Sequence, residues 1–286
     1  MSTSLLAVCL GLFSAITLAA ANMSVKMGVD ILVGRAILSS SAALLVAPAL
    51  LFVPPPNPQT WWALAAAIPA HFFYQVCLVR AMQHGDLSLV FPVMRGTAPL
   101  LTAAAAYLLL GERLPLLGVG GLIIAAASVI VFAMPPQGVR LRHHPDRAAL
   151  LWAAGTAVGV SLYNVADARG VRIAPDPFTY IVWLFLLDAV AVTTLALSRR
   201  RSAFFRTALE KWRFGVTAGI LSIFSYGSAV YAFRLIETAK VSALRETSVV
   251  FAAMMGAGVL KEGFGRRRIL AAVALAAGLL LMQFAR

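Results

Sequence analysis

Charged residues are scarce in this sequence: Asp, Glu, Lys and Arg together make up 12% of its 286 residues. Soluble globular domains contain about 25%. Hydrophobic residues make up 61% of the chain, and the mean hydropathy is +0.87. A folded domain in water could not cover so much apolar surface, so the composition excludes a soluble globular protein and predicts a membrane protein.

Cysteines and hydrolytic motifs are also scarce. The two cysteines, Cys9 and Cys77, lie in apolar segments without metal-ligand spacing, so neither a disulfide nor a metal site is predicted. The sequence lacks the hydrolase motifs Gly-x-Ser-x-Gly and His-Glu-x-x-His, and it lacks nucleotide-binding patterns. An intramembrane aspartyl hydrolase needs two deep aspartates, but only Asp188 lies deep in a predicted span. These absences argue against an enzyme, against coupling to ATP and for a chain that needs no cofactor.

Long apolar runs are abundant, and each is long enough for a membrane-spanning helix of about 20 residues. The first run could instead belong to a signal peptide, but it lacks a positively charged start. We therefore predict an all-α polytopic membrane protein with ten transmembrane helices. The predicted spans are roughly 4–24, 31–53, 60–82, 87–110, 115–134, 148–168, 177–198, 213–235, 239–260 and 267–285.

The net charge of +13 is concentrated in short polar connections such as RRRSAFFRTALEKWR, residues 199–213. This distribution is typical of topological anchoring and not of nucleic-acid binding. In the ten-span arrangement, fifteen lysines and arginines fall on one side of the membrane and six on the other. Because positive residues stay in the cytoplasm, we predict an inner-membrane protein whose two termini are periplasmic.

Two segments of the chain match each other at a constant offset of 150 residues. RAMQHGDLSLVFPVMRGTAPLLTAAAAYLLLGERLP aligns with YAFRLIETAKVSALRETSVVFAAMMGAGVLKEGFGR, which places Arg95 on Arg245 and Glu112 on Glu262. In both segments the arginine precedes the glutamate by 17 residues. A five-span unit that is repeated once enters the membrane in opposite senses, as in many secondary transporters.

The repeat predicts the organisation of the chain. Residues 1–134 form the first five-span repeat, residues 135–147 form a polar linker, and residues 148–286 form the second, inverted repeat. The linker contains HHPD, which we interpret as solvated loop residues and not as a metal cluster.

The acidic ends LLLGER and VLKEG, and the small-residue spans GVGGLIIAAASVIVF and ILAAVALAAGLLL, carry a resemblance. They resemble the EamA-type, ten-span branch of the drug/metabolite transporter superfamily. The resemblance implies a transporter built from two inverted five-helix repeats, and in characterised relatives both termini are cytoplasmic. HFFYQVCLVRAMQHGDLSLVFPVMRGTAP and SALRETSVVFA are similar to EamA-type proteins associated with phosphonate-utilisation genes, which implies a small anionic or zwitterionic solute.

Several ionisable side chains lie inside predicted spans, where each is unfavourable by about 2.5 to 3.5 kcal/mol. Inversion puts Arg95 and Arg245 toward opposite sides of the membrane, so two charged clusters could serve as gates. Arg245 and Glu246 are adjacent, hence about 100° apart around the helix, and each needs its own partner. Depth alone suggests Asp167 for Arg245. Alternatively, the arginines extend to lipid headgroups. The candidate gate or charge-coupling residues are Arg35, Arg95, Asp167, Asp188, Arg245 and Glu246.

A second set of polar residues lies near the middle of the membrane. His71, Tyr74 and Gln75 follow i, i+3, i+4 spacing and give the third span one polar face. The repeat places polar residues of the eighth span opposite this face. The set could line a solute cavity, or it could only join helices through hydrogen bonds. The candidate solute-binding residues are His71, Tyr74, Gln75, Trp183, Ser222, Ser225 and Tyr226.

These patterns predict a secondary transporter that moves a small polar metabolite across the inner membrane by alternating access. Because arginines and not carboxylates dominate the buried charges, we expect an anionic or zwitterionic solute. An exporter of amphipathic or cationic compounds, an intramembrane enzyme and a structural or receptor-like protein are the alternatives. The expected partners are the solute and the lipid bilayer, with protons as one option for coupling; no nucleic acid is expected, and a monomer is compatible with the sequence.

Overall fold

A computed structural model describes residues 3–25, 30–84, 87–134, 147–252, 254 and 266–285. Within these ranges every regular element is helical, which confirms the all-α prediction. Among the residues that the structure describes, eight helices are long and apolar enough to cross a membrane, and Leu116–Phe132 is a shorter apolar helix. The described part of the chain therefore agrees broadly with ten spans, while residues 253 and 255–260 of the ninth predicted span lie outside it.

The helices follow one another with short connections. Asp30 caps the second helix by accepting hydrogen bonds from the backbone N–H groups of Leu32 and Val33, at 3.0 and 3.3 Å. In chain order the elements are α1 (Thr3–Val25), α2 (Ile31–Val46), a 3₁₀ turn (Ala47–Leu51), α3 (Pro58–His84), α4 (Leu87–Leu110), α5 (Leu116–Ala133), α6 (Arg147–Ile173), α7 (Pro177–Glu210), α8 (Trp212–Ser222), a π segment (Ile223–Gly227), α9 (Ser228–Leu235), α10 (Thr238–Glu246) and α11 (Arg266–Phe284).

The chain forms two compact units, and neither coincides with one half of the sequence. Unit 1 contains residues Met1–Phe72 and Ala166–Leu235. Unit 2 contains Phe73–Val165 and Ile236–Arg286. The divisions fall inside α3 and α6, so each unit combines helices from both halves of the chain.

In unit 1, α2 packs against α7 and α8, and α1 packs against α8, the π segment and α9. Small residues allow the close approach of α2 and α8, since a Cβ atom at Gly219 would lie 2.9 Å from the backbone nitrogen of Ala42. The basic segment that we predicted as a connection is mostly helical. It continues α7 beyond non-helical backbone at Arg200, because Phe204 is buried against α2.

In unit 2, α5 packs against α4 and α11, and α4 also packs against α10. Glycines bring α5 and α11 into backbone contact. A Cβ atom at Gly121 would lie 2.8 Å from the backbone nitrogen of Met282, and one at Gly278 would lie 2.8 Å from that of Ala125. This contact depends on the absence of side chains at both positions.

Two predicted spans are interrupted where polar residues occur. The eighth changes from α-helix to the π segment, which carries Ser225 and Tyr226. In the ninth, α10 ends at Glu246 and Thr247 forms a turn before residues 248–252 become helical again. Irregular backbone at membrane depth occurs where it is buried in protein or lines a cavity. Both interruptions therefore mark candidate functional positions.

Candidate functional site

A buried carboxylate in unit 1 is within hydrogen-bond distance of three side chains. The Asp167 side chain is 0% exposed. Its Oδ1 accepts a hydrogen bond from the Tyr180 hydroxyl at 2.8 Å, and its Oδ2 accepts one from the Tyr226 hydroxyl. Nε2 of His71 lies 2.8 Å from the same Oδ2. We call these four residues the Asp167 cluster.

Four elements position the Asp167 cluster. His71 comes from α3, Asp167 from α6, Tyr180 from α7 and Tyr226 from the π segment. The rings of His71 and Tyr226 meet edge to face, with centroids 5.4 Å apart. Gly170, one turn after Asp167, leaves room for the Tyr180 ring, because a Cβ atom there would overlap it.

In unit 2, a buried ion pair joins α4 to α10. Nη1 of Arg95 donates a hydrogen bond to Oε1 of Glu246 at 3.3 Å, and the two side chains are 17% and 5% exposed. Arg245 is 8% exposed beside Glu246. With both arginines and the carboxylate ionised, this arginine–glutamate cluster carries a net charge of +1.

The arginine–glutamate cluster has an unsatisfied acceptor. Oε2 of Glu246 is buried and accepts no hydrogen bond from the described residues. Such groups are few in folded proteins, and each requires an explanation such as a ligand, a water molecule or an ion.

A row of hydrogen-bonded polar side chains in unit 2 reaches α10, the helix that carries Arg245 and Glu246. Nδ2 of Asn164 donates hydrogen bonds to Thr102 Oγ1 and to Ser242 Oγ, each at 3.3 Å. Ser242 lies one helical turn before Arg245 and Glu246 in α10. Oδ1 of Asn164 is a second buried acceptor without a hydrogen bond among the described residues.

Glu112 has a capping contact that sequence reasoning missed. Its carboxylate accepts hydrogen bonds from both the backbone nitrogen and the hydroxyl of Thr238, each at 2.8 Å. A carboxylate at a helix N-terminus is favourable, so Glu112 caps α10 from the end of LLLGER. Its sequence counterpart, Glu262, lies outside the described residues.

The structure brings together only some of the predicted site residues. His71 contacts Tyr226, but Tyr74 belongs to unit 2 and packs against Tyr163 with ring centroids 5.2 Å apart. Elsewhere in unit 1, Trp183 packs on Trp61, Asp188 accepts a hydrogen bond from Ser39 and Ser225 donates one to the Ser14 carbonyl. Of the remaining residues, Gln75 is buried, and Ser222 and Arg35 are half-buried.

The suggested pairing of Asp167 with Arg245 stays a prediction, and the contacts described for Asp167 are with other residues. Asp167 is bonded to His71, Tyr180 and Tyr226, all within unit 1. Arg245 belongs to unit 2, where the neighbouring Glu246 bonds to Arg95. Depth along a helix gave the level of each charge in the membrane but not the direction in which it points.

A cavity of about 490 Å³ opens in unit 1 between the start of α3 and the end of α6. None of the seven predicted solute-binding residues lines it. Its lining residues are Gln59, Trp62, Ala63, Ala66, Ala166, Arg169 and Ile173.

The apolar helices define a multi-pass membrane protein. The model of the EamA-like transporter family matches residues 1–134 and 147–284, so the chain belongs to the EamA-like transporter family. This confirms the resemblance found in the sequence.

The fold is also similar to that of a solved protein described only as "Crystal structure of protein". The TM-score is 0.77 at 19% sequence identity, and the match covers 98% of this chain and 96% of the other. At this identity the similarity shows the fold alone. The comparison with curated proteins finds no match.

Proposed function

We propose that this membrane transporter is a secondary transporter that moves a small zwitterionic or anionic metabolite across the inner membrane by alternating access. One observation carries the proposal: the buried contact between Arg95 and Glu246, with Arg245 beside it. Charges at this depth are unfavourable unless they are paired, and in transporters they mark solute and ion pathways.

The charge of the arginine–glutamate cluster favours a solute with a negative group. Two guanidinium groups and one carboxylate sum to one positive charge, which attracts an anion more strongly in a medium of low dielectric constant than in water. A guanidinium group can bind a carboxylate or phosphonate through two parallel hydrogen bonds. Arg95 and Arg245 are therefore the proposed anion-binding residues.

The two buried acceptors favour a solute that also carries hydrogen-bond donors. Oε2 of Glu246 and Oδ1 of Asn164 accept no hydrogen bonds among the described residues. An ammonium group has three donors and would satisfy such oxygens. Of the two solute classes, a zwitterion such as an amino acid or an aminophosphonate therefore fits the cluster better than a simple anion.

The Arg95–Glu246 ion pair supplies a means of switching between the two conformations of alternating access. Glu246 and the anionic group of the solute compete for Arg95, so solute binding weakens the Arg95–Glu246 contact. The helix interruption at Thr247, directly after Glu246, gives α10 an end that can shift without breaking a continuous helix.

Export of cationic compounds is less well supported. A cation carrier needs an available buried carboxylate, and Asp167 is already bonded to three side chains. Glu246 is bonded to Arg95.

The test is solute flux into proteoliposomes that contain the purified full-length protein. Four labelled probes represent the solute classes: an amino acid, an aminophosphonate, a dicarboxylate and a quaternary ammonium compound. We expect transport of a zwitterionic probe, a loss of at least tenfold in Arg95→Gln and in Arg245→Gln, and partial recovery in the lysine variants. A solute present at 100 times its Kd should also stabilise the protein by about 2.7 kcal/mol.

Arg213→Gln is the matched control, because Arg213 is exposed, 5.4 Å from the Trp212 ring centroid. It should transport like the wild type. Wild-type flux in both buried-arginine variants at equal protein level would contradict the proposed site, and preferred transport of the quaternary ammonium compound would favour the cation exporter instead.

A further inference from the structure

We propose that the His71–Asp167 pair is a proton-binding site through which proton movement is coupled to solute transport. The inference rests on the proposed secondary transport, since it names the ion that would drive it. It places the proton in unit 1, at side chains separate from the arginines proposed to bind solute.

The hydrogen bonds around Asp167 are those of a carboxylate acceptor. An ionised carboxylate only accepts hydrogen bonds, and the hydroxyls of Tyr180 and Tyr226 both act as donors to it. Nε2 of His71 lies 2.8 Å from Oδ2, within hydrogen-bond distance of the carboxylate. In the neutral tautomer with hydrogen on Nε2, the imidazole lone pair is on Nδ1.

The pair has room in its charge balance for one additional proton. With neutral His71, the pair carries a charge of −1 at a place where Asp167 has no exposure to water. A proton added to the imidazole converts His71 to imidazolium and makes the pair neutral. A buried environment disfavours a net charge on the pair, so it favours the pair that holds the proton. Contact with water stabilises the charged pair and allows the proton to leave.

Other ionisable side chains described in the surrounding helices do not neutralise the charge of Asp167 in place of this proton. Among the described residues, no lysine or arginine forms an ion pair or hydrogen bond with Asp167. In α6, Arg169 is exposed and Arg172 donates through Nε to the Phe233 carbonyl at 2.9 Å. In α7, Asp188 bonds to Ser39, and Asp176 caps the helix at Phe178. In α9, Arg234 is exposed.

The π segment gives the site a part that can move. Tyr226, which donates to Asp167 and packs on His71, lies within the five π-helical residues Ile223–Gly227. Short π segments inside α-helices are rare and occur frequently at functional sites. A change of this segment to α-helical hydrogen bonding would move Tyr226 away from Asp167 and open the pair to water.

The first experiment measures proton binding without any solute. Proteoliposomes with full-length protein are adsorbed on a solid-supported membrane, and charge displacement is recorded after a pH jump. We expect a transient displacement in the wild type that is at least tenfold smaller in Asp167→Asn and in His71→Gln. Asp30→Asn is the control: Asp30 is an exposed helix cap, and asparagine caps helices equally well.

The absence of displacement in the wild type, or wild-type displacement in Asp167→Asn, would overturn the proton site. Because the recording contains no solute, its result is independent of the flux assay. Transport that depends on Arg95 and Arg245 without any pH-induced displacement would leave the proposed transporter intact and remove only its coupling to protons.

A second measurement does not depend on the folding of a variant at Asp167. The sequence has four histidines, and replacing His84, His143 and His144 by glutamine leaves His71 as the only one. Nitrogen-15 NMR of the labelled protein in lipid should show His71 changing from a neutral to a doubly protonated ring as the pH is lowered from about 9 to about 5. A ring that keeps one protonation state over this range would contradict the inference.

Discussion

Glu112 holds the beginning of α10 through two hydrogen bonds from Thr238, each 2.8 Å long. At the other end of the same helix lie Arg245 and Glu246. The capping contact and the charges of the arginine–glutamate cluster therefore lie at opposite ends of one nine-residue helix. The acidic end of LLLGER thus supports the cluster through the helix that carries it.

Removing the cap should destabilise the protein and weaken transport together. We expect Glu112→Ala to lower the free energy of unfolding by about 0.5 to 2 kcal/mol, the range for loss of a helix cap. Thermal unfolding in detergent measures this change, with the exposed Glu210→Ala as control. Equal melting temperatures for Glu112→Ala and the wild type would show that the contact does not stabilise α10.

The Arg95–Glu246 pair should show strong coupling in a double-mutant cycle. Glu246→Gln alone leaves two buried arginines without their carboxylate, and loss of one partner of a buried pair costs about 3 to 5 kcal/mol. The double variant Arg95→Gln with Glu246→Gln should lose less stability than the sum of the two single variants. Unfolding measurements on all four proteins determine the coupling, and additive effects would mean that the two side chains do not interact.

Two adjacent glycines in α5 offer a matched comparison of helix packing. A Cβ atom at Gly121 would meet the backbone of α11, whereas one at Gly120 would have no atom within 4 Å. Gly121→Ala should therefore lower the melting temperature, while Gly120→Ala should leave it unchanged or raise it, because alanine favours the helix by about 1 kcal/mol. The reverse order would contradict the contact between α5 and α11.

The orientation in the membrane is a prediction from charge alone. Fifteen basic residues on one side and six on the other place both termini in the periplasm. A reporter that is active only in the periplasm should be active when fused after Arg286. Activity of a cytoplasmic reporter at the same position would instead give this chain the orientation that its resemblance implies.

Sequence patterns predicted the helices well, because apolar length is a direct requirement of the bilayer. They also indicated which side chains were unusual, including His71, Asp167 and Glu246. They could not predict partners, since a residue's position along a helix does not determine where its side chain points in the folded protein. Asp167 was suggested for Arg245 on depth, and the contacts described for it are with His71 and two tyrosines.

The helix interruptions had no signal in the composition. No proline or charge marks the π segment, whose residues are Ile-Phe-Ser-Tyr-Gly. The turn at Thr247 likewise follows a sequence compatible with a continuous helix. Such irregularities arise from contacts with other helices, which local sequence does not specify.

The division of the chain inside α3 and α6 has a consequence for split versions of the gene. Each compact unit takes helices from both sides of the linker, so fragments 1–134 and 147–286 would each possess only parts of two units. Neither fragment could bury its apolar helix faces alone. Co-expression should yield a stable complex by complementation, whereas each fragment expressed separately should be degraded.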